Sequence, residues 1–354
     1  MKFAIMKLLY VKIEMKVLNI MLSRDLGGIQ QAFLDYNTAL EMQKIEVINI
    51  TSYKAKINSF LCNASFKLPN LVPFDPLSVL ILKYIIHKTK PDIIIAHGNR
   101  AINFSKLAKT HNIKLIGIAH NYTLKRLRKC DFVIALTYHM KEYLLKNNFA
   151  ESKIFILPNM INISKDFAPN KTYREPIIIG VLARFVAKKG VNVFIRAIKL
   201  LKEKKYDTHV VIGGDGEEKD NLIALVQALN LQNQISFIGW INYKDKFFKQ
   251  IDIFCLPSLH EPFGIIVLEA MEASVPIVST DTEGPAEILS DMQDGLICKA
   301  DSAEELAEKI AHLIDNPIKA KEFSKNAYLK LQQNYDTKIV SEKLVILLRN
   351  YKNS

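Results

Sequence analysis

Short apolar runs alternate with longer amphipathic stretches along most of the chain. In the first half, runs rich in Ile, Val and Leu predict strands, and the stretches between them predict helices. Several runs are apolar at every position, which is typical of strands buried on both faces of a parallel sheet. The predicted strands are residues 17–22, 46–50, 93–96, 114–119, 132–136 and 154–157, and the predicted helices are 29–43, 77–89, 100–111 and 138–147.

A second series of the same kind begins at Ile177. Its predicted strands are 177–182, 209–212, 235–238, 253–256, 276–279 and 295–297, and its helices are 191–204, 217–229, 264–273 and 303–314. Two more helical patterns, 318–334 and 337–351, end the chain, and the polar segment 162–176 reads as a linker. The pattern predicts an α/β protein with two doubly wound parallel-sheet domains.

A length of 354 residues is suited to two domains. We expect an N-terminal domain over 1–165, a C-terminal domain over 166–333 and a terminal helix over 334–354. Residues 1–14 are apolar but interrupted by charges and have no small-residue cleavage site, so a signal peptide is not expected. Because a better strand opens at Met15, those residues are interpreted as a possible extension.

Composition excludes several protein classes. A hydrophobic content of 49% with 24% charged residues excludes a largely disordered chain. The cysteines, Cys62, Cys130, Cys255 and Cys298, lie far apart without a C-x-x-C pair. This spacing argues against a zinc module, a redox motif and a disulfide scaffold, and indicates reduced thiols in a cytoplasmic protein. The most apolar segment, 77–86, is too short to span a membrane.

Positive charge is concentrated in the first half. The chain carries 48 Lys and Arg against 36 Asp and Glu; residues 1–165 hold 24 − 10 = +14 and the remainder 24 − 26 = −2. This asymmetry predicts an anionic partner for the first half, such as an anionic membrane surface, an acidic acceptor or a nucleic acid. A solvated basic face is the plain alternative. The densest run, residues 125–129, has no interleaved aromatics, which disfavours nucleic acid.

Glycines and cations follow several predicted strands. Gly27 and Gly28 lie between the first strand and a helix, where a ligand can approach the backbone and an anion the helix N-terminus. Arg184 and Lys189 follow the strand at 177–182 and form a potential phosphate site, or else a solvated basic turn. Gly214 belongs to a Gly-Gly-Asp-Gly turn that lacks the third glycine of a dinucleotide fingerprint but suits a turn beside a nucleotide.

The most informative segment runs from Pro257 to Met271. Glu261 lies at the end of a predicted strand, and Glu269 lies eight residues later among apolar residues of a predicted helix. A carboxylate in such surroundings needs strong hydrogen-bond donors, and sugar or ribose hydroxyls can supply them. The backbone amides from Phe263 to Ile265 open the helix and form another anion site. A structural buried glutamate with a helix cap is the alternative.

Four segments resemble, in order and spacing, the family-4 retaining glycosyltransferases of GT-B architecture. They are RFVAKKG from Arg184, GGDGE from Gly213, EPFGIIVLE from Glu261 and TEGPAEIL from Thr282. The resemblance extends from about Met15 and is strongest from Gly180 to Leu296. It implies two Rossmann-like domains facing across a cleft, with the terminal helix crossing back to the first domain. It also implies bacterial lipopolysaccharide or capsule biosynthesis.

The same resemblance implies roles for individual residues. Arg184 and Lys189 would bind the donor diphosphate, and Glu269 would accept hydrogen bonds from the ribose. Gly27 and Gly28 would border the diphosphate, Trp240 would lie near the base, and His120 beside the reacting sugar. The donor sugar would be held by Glu261 together with the backbone amides of Phe263, Gly264 and Ile265.

No pair of aspartates has the D-x-D spacing with which other transferases hold a metal ion. The expected enzyme is therefore metal-independent and needs no cofactor besides a UDP- or GDP-linked sugar as co-substrate. Transfer to a glycolipid or polysaccharide precursor with retention of configuration is expected, at the inner face of the cell membrane. The alternatives are a nucleotide-sugar epimerase or phosphorylase of the same architecture, a nicotinamide dehydrogenase, and a basic nucleic-acid-binding protein.

Overall fold

The computed structural model describes residues 15–25, 27–61, 65–72, 74–164, 166–168, 175–241 and 243–352. The possible extension, residues 1–14, and Cys62 lie outside the described residues. No helix within these ranges is long and apolar enough to cross a bilayer.

Seven strands form a first parallel sheet and six form a second. The first sheet contains β1 (Lys16–Met21), β2 (Glu46–Ser52), β3 (Ser65–Leu68), β4 (Ile93–His97), β5 (Lys114–Ala119), β6 (Phe132–Ala135) and β7 (Ile154–Ile156). The second contains β8 (Ile177–Leu182), β9 (Thr208–Gly213), β10 (Ile235–Gly239), β11 (Ile253–Leu256), β12 (Ile277–Thr280) and β13 (Leu296–Cys298).

Helices connect the strands and complete the chain. Those of the first half are α1 (Gly28–Met42), α2 (Pro76–Thr89), α3 (Asn99–Ala108), α4 (Leu124–Leu127) and α5 (Tyr138–Lys146). Those of the second half are α6 (Val191–Glu203), α7 (Lys219–Ala228), α8 (Lys244–Gln250), α9 (Ile265–Glu272), α10 (Pro285–Ile288), α11 (Ala303–Asp315), α12 (Pro317–Asn334) and α13 (Thr337–Lys352).

Both sheets reverse their strand order at one point. The orders are β3-β2-β1-β4-β5-β6-β7 and β10-β9-β8-β11-β12-β13, so the reversals lie between β1 and β4 and between β8 and β11. Open parallel sheets bind ligands beyond the carboxyl ends of the strands at such points. The loops after β1, β4, β8 and β11 are therefore expected to line a ligand-binding site.

The structure confirms the predicted α/β class with two doubly wound sheets. Every predicted strand is present within one or two residues at its ends. One strand, β3, and three short helices, α4, α8 and α10, were not predicted. The strand β3 has only four residues at a sheet edge, and the short helices lack the repeated turns that produce an amphipathic pattern.

The two halves of the chain are joined at its end. Helix α13 packs on α1, and Tyr351 stacks on Phe132 of β6 with ring centroids 3.6 Å apart. At the crossing point, the backbone of Ile161 donates to Tyr335 O and accepts from Thr337 N. The terminal helix thus contacts the first sheet, while the exact domain boundaries remain predictions.

Candidate active site

The loops at the two sheet reversals come together in one cleft. Gly27, after β1, lies against Arg184, after β8: a Cβ atom placed on Gly27 would lie 3.7 Å from the guanidinium Nη2 of Arg184. A Cβ atom on Gly28 would lie 3.9 Å from Cδ1 of Ile265, the first residue of α9. The structure therefore brings the paired glycines of the first half beside the cation and the helix N-terminus of the second half.

The loop after β8 carries both predicted phosphate-binding cations. Arg184 is exposed, and its guanidinium has no hydrogen-bond or ion-pair partner in the part of the chain that the structure describes. Lys189 forms an ion pair with Glu261, the first glutamate of the E-x7-E segment. Gly190 allows this loop to pack against the loop after β11. Its φ is +61°, and a Cβ atom at this position would lie 1.9 Å from Pro257 O. The close packing of the two loops fixes Lys189 next to Glu261.

The carboxylate of Glu283 holds the loop that carries Glu261. Glu283, after β12, accepts from the Glu261 backbone N–H at 3.1 Å and pairs with Nδ1 of His260 at 2.7 Å. Burial acts to raise the pKa of the Glu283 carboxyl, but hydrogen bonds from its own backbone, from His260 and from Glu261 outweigh burial and leave the pKa below its ordinary value. An ionised Glu283 therefore orients the loop that carries Glu261.

The N-terminus of α9 opens toward the same cleft. Gly264 is its N-cap residue with φ +87°, a conformation that favours glycine. Phe263 is buried and packs on Gly284, where an added Cβ would lie 2.3 Å from the Phe263 backbone. The first N–H groups of a helix have no intrahelical acceptor, so those beginning at Gly264 and Ile265 could receive an anion next to Glu261.

Glu269 lies deeper, on the interface between the two halves. Its Oε1 accepts from Lys244 Nζ at 2.5 Å, and burial raises the pKa of its carboxyl against the opposing effect of Lys244. A cavity of about 140 Å³ is lined by Glu269, Lys244 and, from α1, Gln31 and Asp35. Within the described ranges, Oε2 of Glu269 and Oδ2 of Asp35 are buried without a hydrogen-bond partner. Two carboxylates therefore face one small interdomain cavity.

His120, at the end of β5, belongs to a hydrogen-bond chain. Its Nε2 lies 3.2 Å from Nδ1 of His97, whose Nε2 lies 3.0 Å from Oδ1 of Asn19. The amide of Asn19 donates to Phe33 O and Asn49 Oδ1, so its Oδ1 is the acceptor for His97 Nε2–H.

This chain assigns the ring tautomers. His97 Nδ1 must then accept from His120 Nε2–H, which leaves Nδ1 of His120 as a hydrogen-bond acceptor. Burial lowers the pKa of His120 to about 3 and that of His97 well below its ordinary value. Both rings are therefore neutral at physiological pH, and His120 offers an uncharged acceptor rather than a cation.

The remaining residues predicted to contact the nucleotide lie on the side of the cleft formed by the second sheet. Gly214 has φ +146°, and a Cβ atom there would lie 1.8 Å from Ala183 O, so only glycine lets this turn lie against the loop of Arg184. Its backbone N–H donates to Gly239 O at 2.7 Å. Trp240 follows directly and is 47% exposed, which leaves its ring available to a ligand.

Contacts between the two halves also occur at the outer end of the cleft. The Tyr122 ring lies 5.4 Å from that of His260, which places the loop after His120 beside the loop of Glu261. The carboxylate of Glu287 accepts from the backbone N–H groups of Tyr138 and His139 at 2.7 and 2.6 Å. Glu287 thus caps the N-terminus of α5 from the other half of the chain.

Sequence reasoning did not select several of these residues. They are Asp35, His97, Lys244, Glu283 and Glu287. Glu283 and Glu287 lie in the TEGPAEIL segment, whose position after a strand was a usable signal. Asp35 and Lys244 act through a contact between distant parts of the chain, for which the local pattern contains no signal.

The structure places every predicted site residue around this cleft or beside the cavity next to Glu269. The roles of these residues toward a ligand stay predictions. In the described part of the chain, no three His, Cys, Asp or Glu side chains are grouped so that they could hold a metal ion. Arg184, Lys189 and the N-terminus of α9 bring positive charge to the cleft, and Lys244 brings it to the cavity beside Glu269.

Two family models match consecutive parts of the chain. The model of glycosyl transferases group 1 matches residues 162–330, and that of glycosyltransferase family 4 matches residues 26–165. The lipopolysaccharide core biosynthesis glycosyltransferase LpsE of Rhizobium meliloti is 27% identical over 68% of this chain and 71% of its own length. LpsD of the same organism, another lipopolysaccharide core biosynthesis glycosyltransferase, is 24% identical over 93% of this chain and 96% of its own.

Solved structures share the architecture. HepE of Anabaena, determined in complex with UDP and glucose, superimposes with a TM-score of 0.83 at 18% identity, covering 95% of this chain and all of HepE. The apo lipopolysaccharide outer core galactosyltransferase WaaB superimposes with a TM-score of 0.75 at 15% identity, covering 95% of this chain and all of WaaB. These neighbours confirm the GT-B fold. With both halves of the chain matched in order by the two family models, the protein belongs to the glycosyltransferases of group 1 and family 4 and is an enzyme of that class.

Proposed function

We propose that the enzyme transfers a sugar from a nucleotide-sugar donor to a hydroxyl of a glycolipid or polysaccharide precursor, with retention of anomeric configuration and without a metal ion. The observation that carries the proposal is the approach of Gly27 to Arg184 across the cleft, beside the Lys189–Glu261 pair. A diphosphate entering there would meet two cations and the N-terminus of α9.

In this mechanism the positive groups stabilise the leaving group. Arg184, Lys189 and the α9 amides hold the diphosphate and stabilise the charge that develops as its bond to the sugar breaks. The acceptor oxygen forms the new bond to the same sugar carbon on the face that the diphosphate leaves. The acceptor proton passes to the departing phosphate oxygen. No covalent enzyme intermediate is required.

The other site residues position the donor. Glu261 accepts hydrogen bonds from sugar hydroxyls. On the opposite side of the cleft, the neutral Nδ1 of His120 accepts a hydrogen bond from another sugar hydroxyl. Glu269, with one buried oxygen without a partner, accepts from the ribose, while Trp240 lies at the base end. Fixed hydrogen-bond acceptors on both sides of the cleft would hold the nucleotide-sugar in place for attack by the hydroxyl of the glycolipid.

The acceptor side is assigned to the first half of the chain. That half carries the charge excess of +14 and so is suited to an anionic glycolipid at a membrane surface. Lipopolysaccharide core biosynthesis is the stated activity of the relatives LpsE and LpsD. A lipopolysaccharide or capsule precursor at the cytoplasmic face of the cell membrane is therefore the proposed acceptor.

The first test is nucleotide release from a panel of UDP- and GDP-sugars with and without EDTA. Slow release from one donor, with water as a poor acceptor, should be lost in Arg184→Ala and Lys189→Ala. Lys188→Ala is the matched control, because Lys188 is the exposed neighbour of Lys189 and holds the next loop through its backbone carbonyl, which the substitution keeps. Nuclear magnetic resonance of the released sugar reports retention or inversion. Undetectable binding of every donor would overturn the proposal.

The same experiments separate the alternatives. An epimerase would convert the donor without an acceptor, and a phosphorylase would need inorganic phosphate. The nicotinamide alternative predicts cofactor binding at the Gly214 turn, where Lys219 replaces the third glycine of the fingerprint. Nucleic-acid binding would be steeply salt-dependent and would not require donor affinity.

A further inference from the structure

The outer face of α2 and the residues shortly before it expose several large apolar side chains. Leu77, Leu80 and Tyr84 recur at helical spacing on one side of α2, opposite the buried Leu82 and Ile85. Each residue of the set is at least half exposed. We name this set the α2 face; its members are Leu71, Val72, Phe74, Leu77, Leu80 and Tyr84.

Hydrogen bonds anchor the N-terminus of α2. Asp75 is buried and caps α2, accepting from Ser78 N at 3.2 Å, Ser78 Oγ at 2.8 Å and Leu71 N at 3.0 Å. Asn70, also buried, donates to Leu22 O at 2.8 Å. These bonds anchor Leu71 and the first turn of α2 to the rest of the first half, so the exposed leucines of the helix belong to a well-anchored element.

Exposed basic residues flank the α2 face along the chain. Residues 66–90 contain Lys67, Lys83, Lys88 and Lys90, all exposed, and a single acidic residue, the buried Asp75. The Arg126 guanidinium lies over the Phe74 ring at 5.9 Å. Clustered exposed apolar side chains mark interaction sites, and exposed lysines beside them complement anionic headgroups.

We propose that the α2 face inserts into the headgroup region of an anionic lipid bilayer and anchors the enzyme there. The combination of an apolar stripe with flanking lysines is that of an interfacial helix. A protein partner would not require residues 66–90 to combine four exposed lysines with a single acidic residue that is buried. The inference goes beyond the proposed acceptor, because it names an apolar anchoring element and holds whichever sugar is transferred.

The test is flotation of the full chain with vesicles. Phosphatidylcholine vesicles with about 30% phosphatidylglycerol, whose surface is negatively charged, are compared with vesicles of phosphatidylcholine alone. Leu77→Ser with Leu80→Ser should lower partitioning onto the anionic vesicles about tenfold and leave thermal unfolding unchanged. Ile318→Ser is the matched control, since Ile318 is 84% exposed on the second half of the chain. It should bind like the wild type.

One double charge variant separates the electrostatic from the apolar contribution to binding. Lys83→Glu with Lys88→Glu should weaken binding at low salt, whereas the serine pair should weaken it at all salt concentrations. Wild-type protein that does not bind anionic vesicles would overturn the inference, as would unchanged binding by the serine pair. A dimer that the serine pair converts to a monomer, without vesicle binding, would assign the face to self-association instead. Donor hydrolysis, measured in parallel without vesicles, reports separately on the proposed function.

Discussion

Replacing Asp35 with asparagine should stabilise the enzyme at alkaline pH. Burial raises the pKa of the Asp35 carboxyl from 3.8 to about 7, with the hydrogen bond from Gln31 opposing and nearby Glu269 adding to the rise. Between these two values the folded protein retains a proton that the unfolded chain releases. Because the folded state binds more protons there, stability falls as pH increases across that window.

The magnitude follows from the two pKa values. Each pKa unit corresponds to about 1.4 kcal/mol, so ionised Asp35 costs about 4 kcal/mol above pH 8, of which about 3 kcal/mol accumulates between pH 5 and pH 8. The substituted asparagine would have no charge to bury, and its amide oxygen could still accept from Gln31 Nε2, which lies 2.9 Å from Oδ1 of Asp35. The free-energy difference between Asp35→Asn and wild type should therefore grow by about 3 kcal/mol over this range.

Urea unfolding followed by circular dichroism from pH 5 to pH 9 measures this difference directly. Asp25→Asn is the control, because it removes the same charge from a side chain that is 86% exposed. Its unfolding free energy should follow the wild-type curve at every pH. If the wild-type and Asp35→Asn curves run parallel instead, Asp35 is not a buried group that ionises on unfolding, and the account of the interdomain cavity is wrong.

Three further substitutions test separate parts of the site. Glu287→Ala should weaken closure of the two halves by about 1–2 kcal/mol, seen as a larger radius of gyration in small-angle scattering; unchanged scattering would contradict it. His97→Phe keeps an aromatic ring beside His120 but leaves Nε2–H of His120 without an acceptor. Donor turnover should therefore fall at unchanged KM, and unchanged turnover would show that the tautomer assignment is wrong. Gly190→Ala should lower the unfolding temperature far more than Gly98→Ala: both glycines have positive φ, but only Gly190 meets a carbonyl oxygen, and equal losses would show that φ alone matters.

The sequence was sufficient to predict the sheets and the loops that form the cleft. Apolar runs identified the strands on either side of both reversals, and the residues directly after them include Gly27, Arg184 and Glu261. This works because strand burial imposes a local pattern, and because ligands bind at the carboxyl ends of strands in this class of fold. The family resemblance then gave these residues their expected roles.

The partners of these residues could not be predicted in the same way. Lys244 reaches Glu269 from a helix 25 residues away in sequence, and Asp35 meets the same cavity from the other half of the chain. His97 contacts His120 only because β4 and β5 are neighbours in the sheet. Such contacts depend on strand order and on how the halves pack, and neither leaves a period or a motif in the sequence.

The charge excess of the first half acquires a more specific meaning from the structure. Two of its arginines, Arg24 after β1 and Arg100 on α3, donate to Asn70 at 2.6 and 2.9 Å and fasten the α2 turn to the carboxyl edge of the first sheet. The proposed anchoring surface and the cleft therefore belong to one rigid unit. If the α2 face enters the headgroup layer, the height of Gly27 and His120 above the bilayer is fixed. An acceptor held in that bilayer would then be presented to the sugar at one depth, and its selection would depend on how far its hydroxyl extends from the membrane.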